Sequence, residues 1–312
     1  MVTRLSNQLM HYQKMSSMMR SQSELADKYQ RITTKERLLQ SADDPAAAAE
    51  NLQIKQTQVR LAQYQRVNNI AQHQMQSQLQ VVDKMEDVTR NIKETLVAVS
   101  NQSILNDKDR LAYATKIEDL KSQLFVLANN KDGSGNYMFA GYKTDTAPLE
   151  MNNSGTVSYQ GGADAVKQHI DADREVTVYF TAEQVLLSAT GSNIFQSLDS
   201  VITTLKTPYQ SATPQDQAAM AAVISTATGG LQDTTKTLST ITSQLGLQLK
   251  EVENLSSRHE ETSVLLKERQ SQLMDTNLLE EITEFKQLEE VMQASYSIYG
   301  QMKDLSLFKI LR

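Results

Sequence analysis

Hydrophobic residues recur three and four positions apart near both ends of the chain, which is the spacing of one helix face. In residues 5–40 these positions are Leu5, Leu9, Tyr12, Met15, Met19, Leu25, Tyr29 and Ile32. Near the other end they are Phe285, Leu288, Met292, Tyr299 and Met302, followed by Leu305 and Leu307. Neither predicted helix has an apolar partner close in sequence, so we expect the two ends of the chain to pair.

A heptad pattern predicts long helices between these ends. Leu231, Leu238, Leu245 and Val252 recur every seven residues, with Thr234, Ile241, Gln248 and Leu255 between them. This 3.5-residue period is typical of a coiled coil. Nothing breaks a helix from Pro45 to about Ser103, and residues 81–99 step by four and three. Gly229, Gly230 and Gly246 interrupt the heptad helix, which indicates either close packing against a neighbouring helix or a hinge.

Glutamines are concentrated in the middle of the first long helix, between residues 63 and 80. We interpret this stretch as a solvated or subunit-facing helix surface.

The segment Ser41–Ala49 predicts a joint between two helices. Ser41, Asp43 and Asp44 each carry a short side-chain oxygen that can cap a helix N-terminus. Pro45 suits the first helical position and disfavours helix at the residue before it. We therefore expect these four residues to form a structural joint, with the returning chain crossing near residues 270–280.

Residues 137–189 have a different composition, which predicts a small β-rich insert. Residues 137–142, 156–159 and 175–180 are aromatic or β-branched and are separated by glycine, proline and asparagine. The fold class is therefore mainly α, a long antiparallel helical rod or coiled-coil bundle built from both chain ends with a β-rich inserted domain. We expect three domains, residues 1–44 with 275–312, residues 45–136 with 190–274, and residues 137–189.

Composition argues against several function classes. The net charge of −6, with both signs interspersed, disfavours nonspecific nucleic-acid binding. No apolar run is long enough to cross a membrane, and the N-terminus lacks the apolar core of a secretory signal. The chain has no cysteine, and its four histidines are far apart in sequence. We expect no catalytic residue, no cofactor, no metal and no membrane insertion, and therefore not an enzyme.

Four stretches resemble the bacterial flagellin superfamily. Residues 34–45, Thr-Lys-Glu-Arg-Leu-Leu-Gln-Ser-Ala-Asp-Asp-Pro, are similar to its N-terminal motif Ser-Gly-x-Arg-Ile-x-Ser-Ala-x-Asp-Asp. Residues 292–296 and 305–308 resemble its C-terminal helix. In the insert, a motif that includes Tyr137, Phe139, Gly141 and Pro148 resembles the superfamily members that lie between hook and filament. Lys35 stands where the family often has glycine, and we expect the turn there to be more helical.

The resemblance implies a structural adaptor at the hook–filament junction of an extracellular flagellum. It implies a ring of subunits that binds hook-associated protein 1 on one side and flagellin on the other, through the apolar residues of the end helices. It also implies type III export without a cleaved signal, with a chaperone on the C-terminal helix, and terminal helices that are disordered in the monomer. A minor filament-forming flagellin and a cytoplasmic coiled-coil scaffold remain as alternatives.

Overall fold

The computed structural model describes residues 2–100, 105–152, 155–187, 193–209 and 212–308, and their side chains except those of residues 2–8, 11 and 302–308. Seven helices and four strands lie in these ranges. The helices are α1 (Val2–Thr34), α2 (Pro45–Ser100), α3 (Asp107–Ala128), α4 (Ala182–Leu186), α5 (Ile194–Lys206), α6 (Pro214–Met274) and α7 (Leu278–Phe308). The chain divides into two compact units, residues 1–61 with 260–312 and residues 62–259.

The first unit pairs the two ends of the chain. Helix α1 packs against α7, as the unpartnered apolar faces predicted. The start of α2 and the end of α6 complete this unit, and their contact is largely polar. Gln270 Nε2 donates to Asn51 Oδ1 at 3.1 Å, and Gln270 Oε1 accepts from Gln58 Nε2 at 3.1 Å. Arg269 forms a two-point ion pair with Glu50, at 2.7 and 3.1 Å.

Heptad seams are buried along both long helices, so the coiled-coil prediction is confirmed. Every seventh residue of α2 is buried, namely Ala47, Ile54, Leu61, Asn68, Met75, Val82, Thr89 and Leu96. The same holds in α6 for Ile224, Leu231, Leu238, Leu245, Val252 and His259. Thr234, Ile241 and Leu255 are also buried.

Close packing does not explain the glycines of α6. A Cβ atom added at Gly229 or Gly246 would meet no atom within 4 Å among the described residues. At Gly230 the nearest atom would be Ser197 Oγ, at 3.9 Å, which is ordinary contact. The sequence left two explanations for these glycines, close packing against a neighbouring helix and a hinge. Close packing within the described chain is therefore wrong.

The insert consists of two antiparallel hairpins. Strand β1 (Leu149–Met151) pairs with β2 (Val157–Tyr159), and β3 (Val166–Asp171) pairs with β4 (Arg174–Tyr179). Two of the three predicted β segments therefore contain strands. Residues 137–142 instead form a turn, because Gly141 has a φ of +62° and the chain bends there.

Gln78 corrects the interpretation of the glutamine-rich stretch. Its side chain is fully buried, and its amide makes two hydrogen bonds of 2.9 Å to the backbone N–H and C=O of Phe180. This glutamine of α2 therefore holds the segment that follows β4, and it is neither solvated nor exposed to another subunit. Asn129 binds both backbone groups of Leu149 in the same way, at 3.0 Å each.

Candidate assembly site

The facing sides of α1 and α7 are only half-buried. From α1 they comprise Met18, Ser21, Leu25, Lys28 and Ile32, and from α7 they comprise Phe285, Leu288, Met292, Ser295 and Tyr299. Six of the apolar residues predicted for an interface, Leu25, Ile32, Phe285, Leu288, Met292 and Tyr299, thus lie between the two helices. Two helices alone cannot cover an apolar stripe on every side, so burial remains incomplete.

A second set of predicted interface residues lies on the outer surface of α1. We call Leu9, Tyr12, Met15, Met19 and Tyr29 the α1 stripe; all five are exposed, Tyr12 by 77% and Met19 by 62%. Tyr29 also touches the edge of the pair, with its ring centroid 6.3 Å from that of Phe285. The predicted residues Leu5, Met302, Leu305 and Leu307 lie outside the described side chains. Exposed large apolar side chains that follow one helix face indicate a surface for another molecule.

Charged residues fix the register of the α1–α7 pair. Lys28 Nζ lies 2.9 Å from Glu281 Oε2 and also hydrogen-bonds Glu284. Arg31 lies 3.8 Å from the other oxygen of Glu281, whose side chain is buried. Burial lowers the pKa of Lys28, but the hydrogen bonds to Glu284 and Glu281 outweigh burial and hold the pKa above its ordinary value. The pair is therefore held in one alignment along its length.

The joint residues have different roles. Helix α2 begins at Pro45, and Asp44 Oδ1 accepts a hydrogen bond from the Ala47 N–H at 3.0 Å. This hydrogen bond, and to a smaller extent the hydrogen bond from Arg37, holds the pKa of Asp44 below its usual value. Asp43 does not cap α2; its carboxylate accepts from the backbone N–H groups of residues 39 and 40 and so closes the preceding turn. Ser41 is exposed in the same turn.

Arg37 is a site residue that the sequence reasoning missed. Its side chain donates from Nε and Nη2 to the carbonyl oxygen of Leu273, at 3.2 and 3.0 Å, and from Nη2 to Asp44 Oδ2 at 3.3 Å. Its backbone N–H donates to Met274 at 2.6 Å. The sequence signal was the arginine of the flagellin-like motif, but the motif does not show that one partner, Leu273, is 236 residues away.

Lys35 contradicts the expectation of a more helical turn. Helix α1 ends at Thr34, and Lys35 has a φ of +62° while its N–H donates to Arg31 at 2.8 Å. This is the left-handed residue that ends many helices, a position that favours glycine. Lysine occupies the conformation here without extending the helix.

The insert motif lies inside the second unit. Phe139 and Gly141 are buried, Pro148 is buried beside β1, and Tyr137 is half-buried. A Cβ on Gly141 would lie 2.7 Å from a backbone oxygen of Asp164, so this position requires glycine on both spatial and conformational grounds. These contacts give the motif a role in shaping the insert.

Among the described residues, no group of three His, Asp or Glu side chains is placed to hold a metal ion. His259 packs instead, stacked on Tyr64 with ring centroids 5.7 Å apart and with Nε2 3.6 Å from Asp171. No helix in the described part of the chain has the length and apolar character of a membrane span.

The two ends of the chain match known helical regions. Residues 5–144 match the bacterial flagellin N-terminal helical region, and residues 228–311 match the bacterial flagellin C-terminal helical region. The paired terminal helices therefore belong to a flagellin-type protein.

Comparison along the full chain narrows this class. The chain is 32% identical to flagellar hook-associated protein 3 of Escherichia coli over 98% of its own length and 99% of the relative. It is 30% identical to flagellar hook-associated protein 3 of Salmonella typhimurium, over 99% and 100%. The chain belongs to the flagellar hook-associated protein 3 family, whose members are structural proteins of the bacterial flagellum.

Solved structures share the fold. The flagellar junction protein FlgL of Legionella pneumophila aligns with a TM-score of 0.61 at 16% identity, over 72% of this chain and all of that chain. FlgL of Xanthomonas campestris aligns with a TM-score of 0.61 at 18% identity, over 68% and 97%.

Proposed function

We propose that this protein is the adaptor between hook and filament, and that it forms a ring through its terminal helices. The observation that carries the proposal is the α1 stripe, whose five large apolar side chains stay exposed although α1 already pairs with α7 of the same chain. A ring of identical subunits requires a heterologous contact, in which one surface meets a different surface of the next copy. The stripe supplies one such surface.

The family relationship supports the choice of partners. We assign hook-associated protein 1 to the hook side of the ring and flagellin to the filament side. The two flagellin-like helical regions support the second assignment, because a flagellin subunit can then meet surfaces like those of its own kind.

The terminal helices are also central to the export and folding that we propose. We infer that the protein leaves the cell through the flagellar type III apparatus, with a cytoplasmic chaperone on the C-terminal helix. The half-buried contact between α1 and α7 supports a monomer in which these helices are disordered until neighbours cover them. Ordering on assembly has a free-energy cost that the ring contacts must exceed.

A pair of charge substitutions tests the α1 stripe. In a strain lacking the gene, we expect the wild-type chain to restore motility and the double variant Tyr12→Asp, Met19→Asp to leave hooks that release flagellin into the medium. Carboxylates on the stripe would have to be desolvated in a ring contact, which is costly. Flagellin in the medium and electron microscopy of the hooks are the measurements.

The matched control is Gln13→Asp with Arg20→Gln, which lowers the net charge by the same two units at exposed positions of α1, about 80–120° around the helix from Tyr12 and Met19. We expect this variant to restore motility. Normal filaments in the strain lacking the gene would contradict the adaptor function. Long filaments grown from the purified protein alone would favour the minor flagellin instead.

A further inference from the structure

Two turns of the first unit are joined by backbone hydrogen bonds. The turn after α1 and the turn after α6 meet at an antiparallel bridge between Glu36 and Asp275. The Arg37 N–H donates to Met274 at 2.6 Å, and the Thr276 N–H donates to Lys35 at 3.1 Å. The points where the chain enters and leaves the α2–α6 pair are therefore bonded to each other.

The Arg37 side chain adds contacts to two helix ends. The Leu273 carbonyl, which accepts two of its N–H groups, is in the last turn of α6, where carbonyls lack partners within the helix. A positive charge is favourable at this negative end of the helix dipole. The third contact, to Asp44 Oδ2, reaches the carboxylate whose other oxygen caps α2. One guanidinium therefore contacts the end of α6 and the cap of α2.

These contacts are separate from those that hold α1 to α7. Three ion pairs between α1 and α7 join Lys28 and Arg31 to Glu281 and Glu284, and Arg37 takes part in none of these three. We propose that Arg37 is a positioning residue that closes the end of the α2–α6 pair before α1 and α7 become ordered. We call this set of contacts, from Arg37 to Leu273, Met274 and Asp44, the Arg37 clasp.

The clasp gives the terminal helices fixed starting points. Residue 34 and residue 277 would be held next to each other whether or not the helices beyond them are formed. In this respect the inference rests on the proposed function, since it specifies how an exported subunit is prepared for ring formation. The clasp itself is a property of the monomer and can be tested without any flagellum.

Amide hydrogen exchange on the purified full-length monomer tests the clasp. In the wild type, we expect the amides of Arg37, Ala47 and Thr276 to exchange more slowly than those of residues 9–34. Arg37→Ala should speed their exchange about three- to tenfold, the low end for charged hydrogen bonds because the guanidinium is partly exposed. Arg37→Lys should fall between the two, since an ammonium keeps the charge but lacks the planar fork that makes three hydrogen bonds to the Leu273 carbonyl and Asp44. Residues 85–100 should not change.

Two comparisons make the exchange test specific. Arg60→Ala removes an exposed arginine from α2 and should leave the exchange of these amides unchanged. A double-mutant cycle with Asp44→Ala should be non-additive at the Ala47 amide, with the coupling reduced at high salt. The proposal is overturned if Arg37→Ala matches the wild type, or if the wild-type clasp amides exchange as fast as α1.

A cellular readout separates the clasp from the adaptor function. Arg37→Ala should still be exported, but it should restore motility less well than Arg37→Lys. A strain lacking the gene that nevertheless has normal filaments would refute the adaptor function and leave the exchange result standing. Full motility with Arg37→Ala, in a strain that needs the gene, would refute the role of the clasp in assembly.

Discussion

Lys35, in the turn after α1, shows where the family pattern and this chain differ. Lys35 has the left-handed backbone conformation of a helix C-terminus, which costs a side chain with a Cβ roughly 1–2 kcal/mol. The flagellin-like motif has glycine here, so the conformation is a property of the turn and not of the residue. The presence of lysine in place of glycine does not by itself show whether the backbone leaves this conformation or keeps it under strain. Here the backbone keeps it, with Lys35 at a φ of +62°.

Lys35→Gly should therefore stabilise the first unit. We expect a gain of about 0.5–1 kcal/mol, since the relief of strain is partly offset by the greater freedom of glycine in the unfolded chain. The same replacement at Lys55, an exposed position inside α2, should instead destabilise the protein by about 1 kcal/mol. Urea unfolding of both variants measures the two effects. Destabilisation by Lys35→Gly would show that the lysine side chain contributes contacts that outweigh its backbone strain.

The elements that the sequence predicted best are those whose burial has a regular period. In α6 the heptad leucines are the buried ones, because a helix that faces a neighbour for many turns must repeat its apolar residues. The turn at residues 137–142 and the role of Gln78 could not be read in this way. Each depends on a residue distant in sequence, Asp164 beside Gly141 and Phe180 beside Gln78, and no local pattern encodes those partners.

Gln78 makes α2 a docking site for the insert as well as a seam of the coiled coil. Replacing it with leucine keeps a similar size but leaves the N–H and C=O of the half-buried Phe180 without their partners, so we expect a loss of about 2–4 kcal/mol. The exposed Gln76→Leu should change stability by less than about 0.5 kcal/mol. The free energy of unfolding of each variant is the measurement. Equal effects of the two substitutions would mean that the amide of Gln78 does not hold this segment.

At the scale of the whole molecule, burial is distributed unevenly between the two units. Many fully buried apolar side chains lie in the second unit, while the helix pair at the chain ends has its contact residues half-buried and its α1 stripe exposed. The pairing of the two ends was predictable from the sequence, because each end carries an apolar face without a local partner. The sequence could not show that part of the stripe predicted for α1 would stay exposed, since periodicity does not reveal how many neighbours surround a helix.

This uneven burial predicts two levels of protection against amide exchange in the monomer. The sequence predicts fast exchange in residues 1–40 and 280–312, and slow exchange in residues 85–100 and 231–255, where the seams are fully buried. The structure sharpens the boundaries, because the Arg37 clasp should protect the turns after residue 34 and around residue 275.

Amide exchange measured on the monomer and on assembled junctions compares the two states. The terminal helices should gain at least about tenfold protection on assembly, because neighbouring subunits then cover their exposed faces. Equally slow exchange of the ends and the seams in the monomer would contradict folding coupled to assembly.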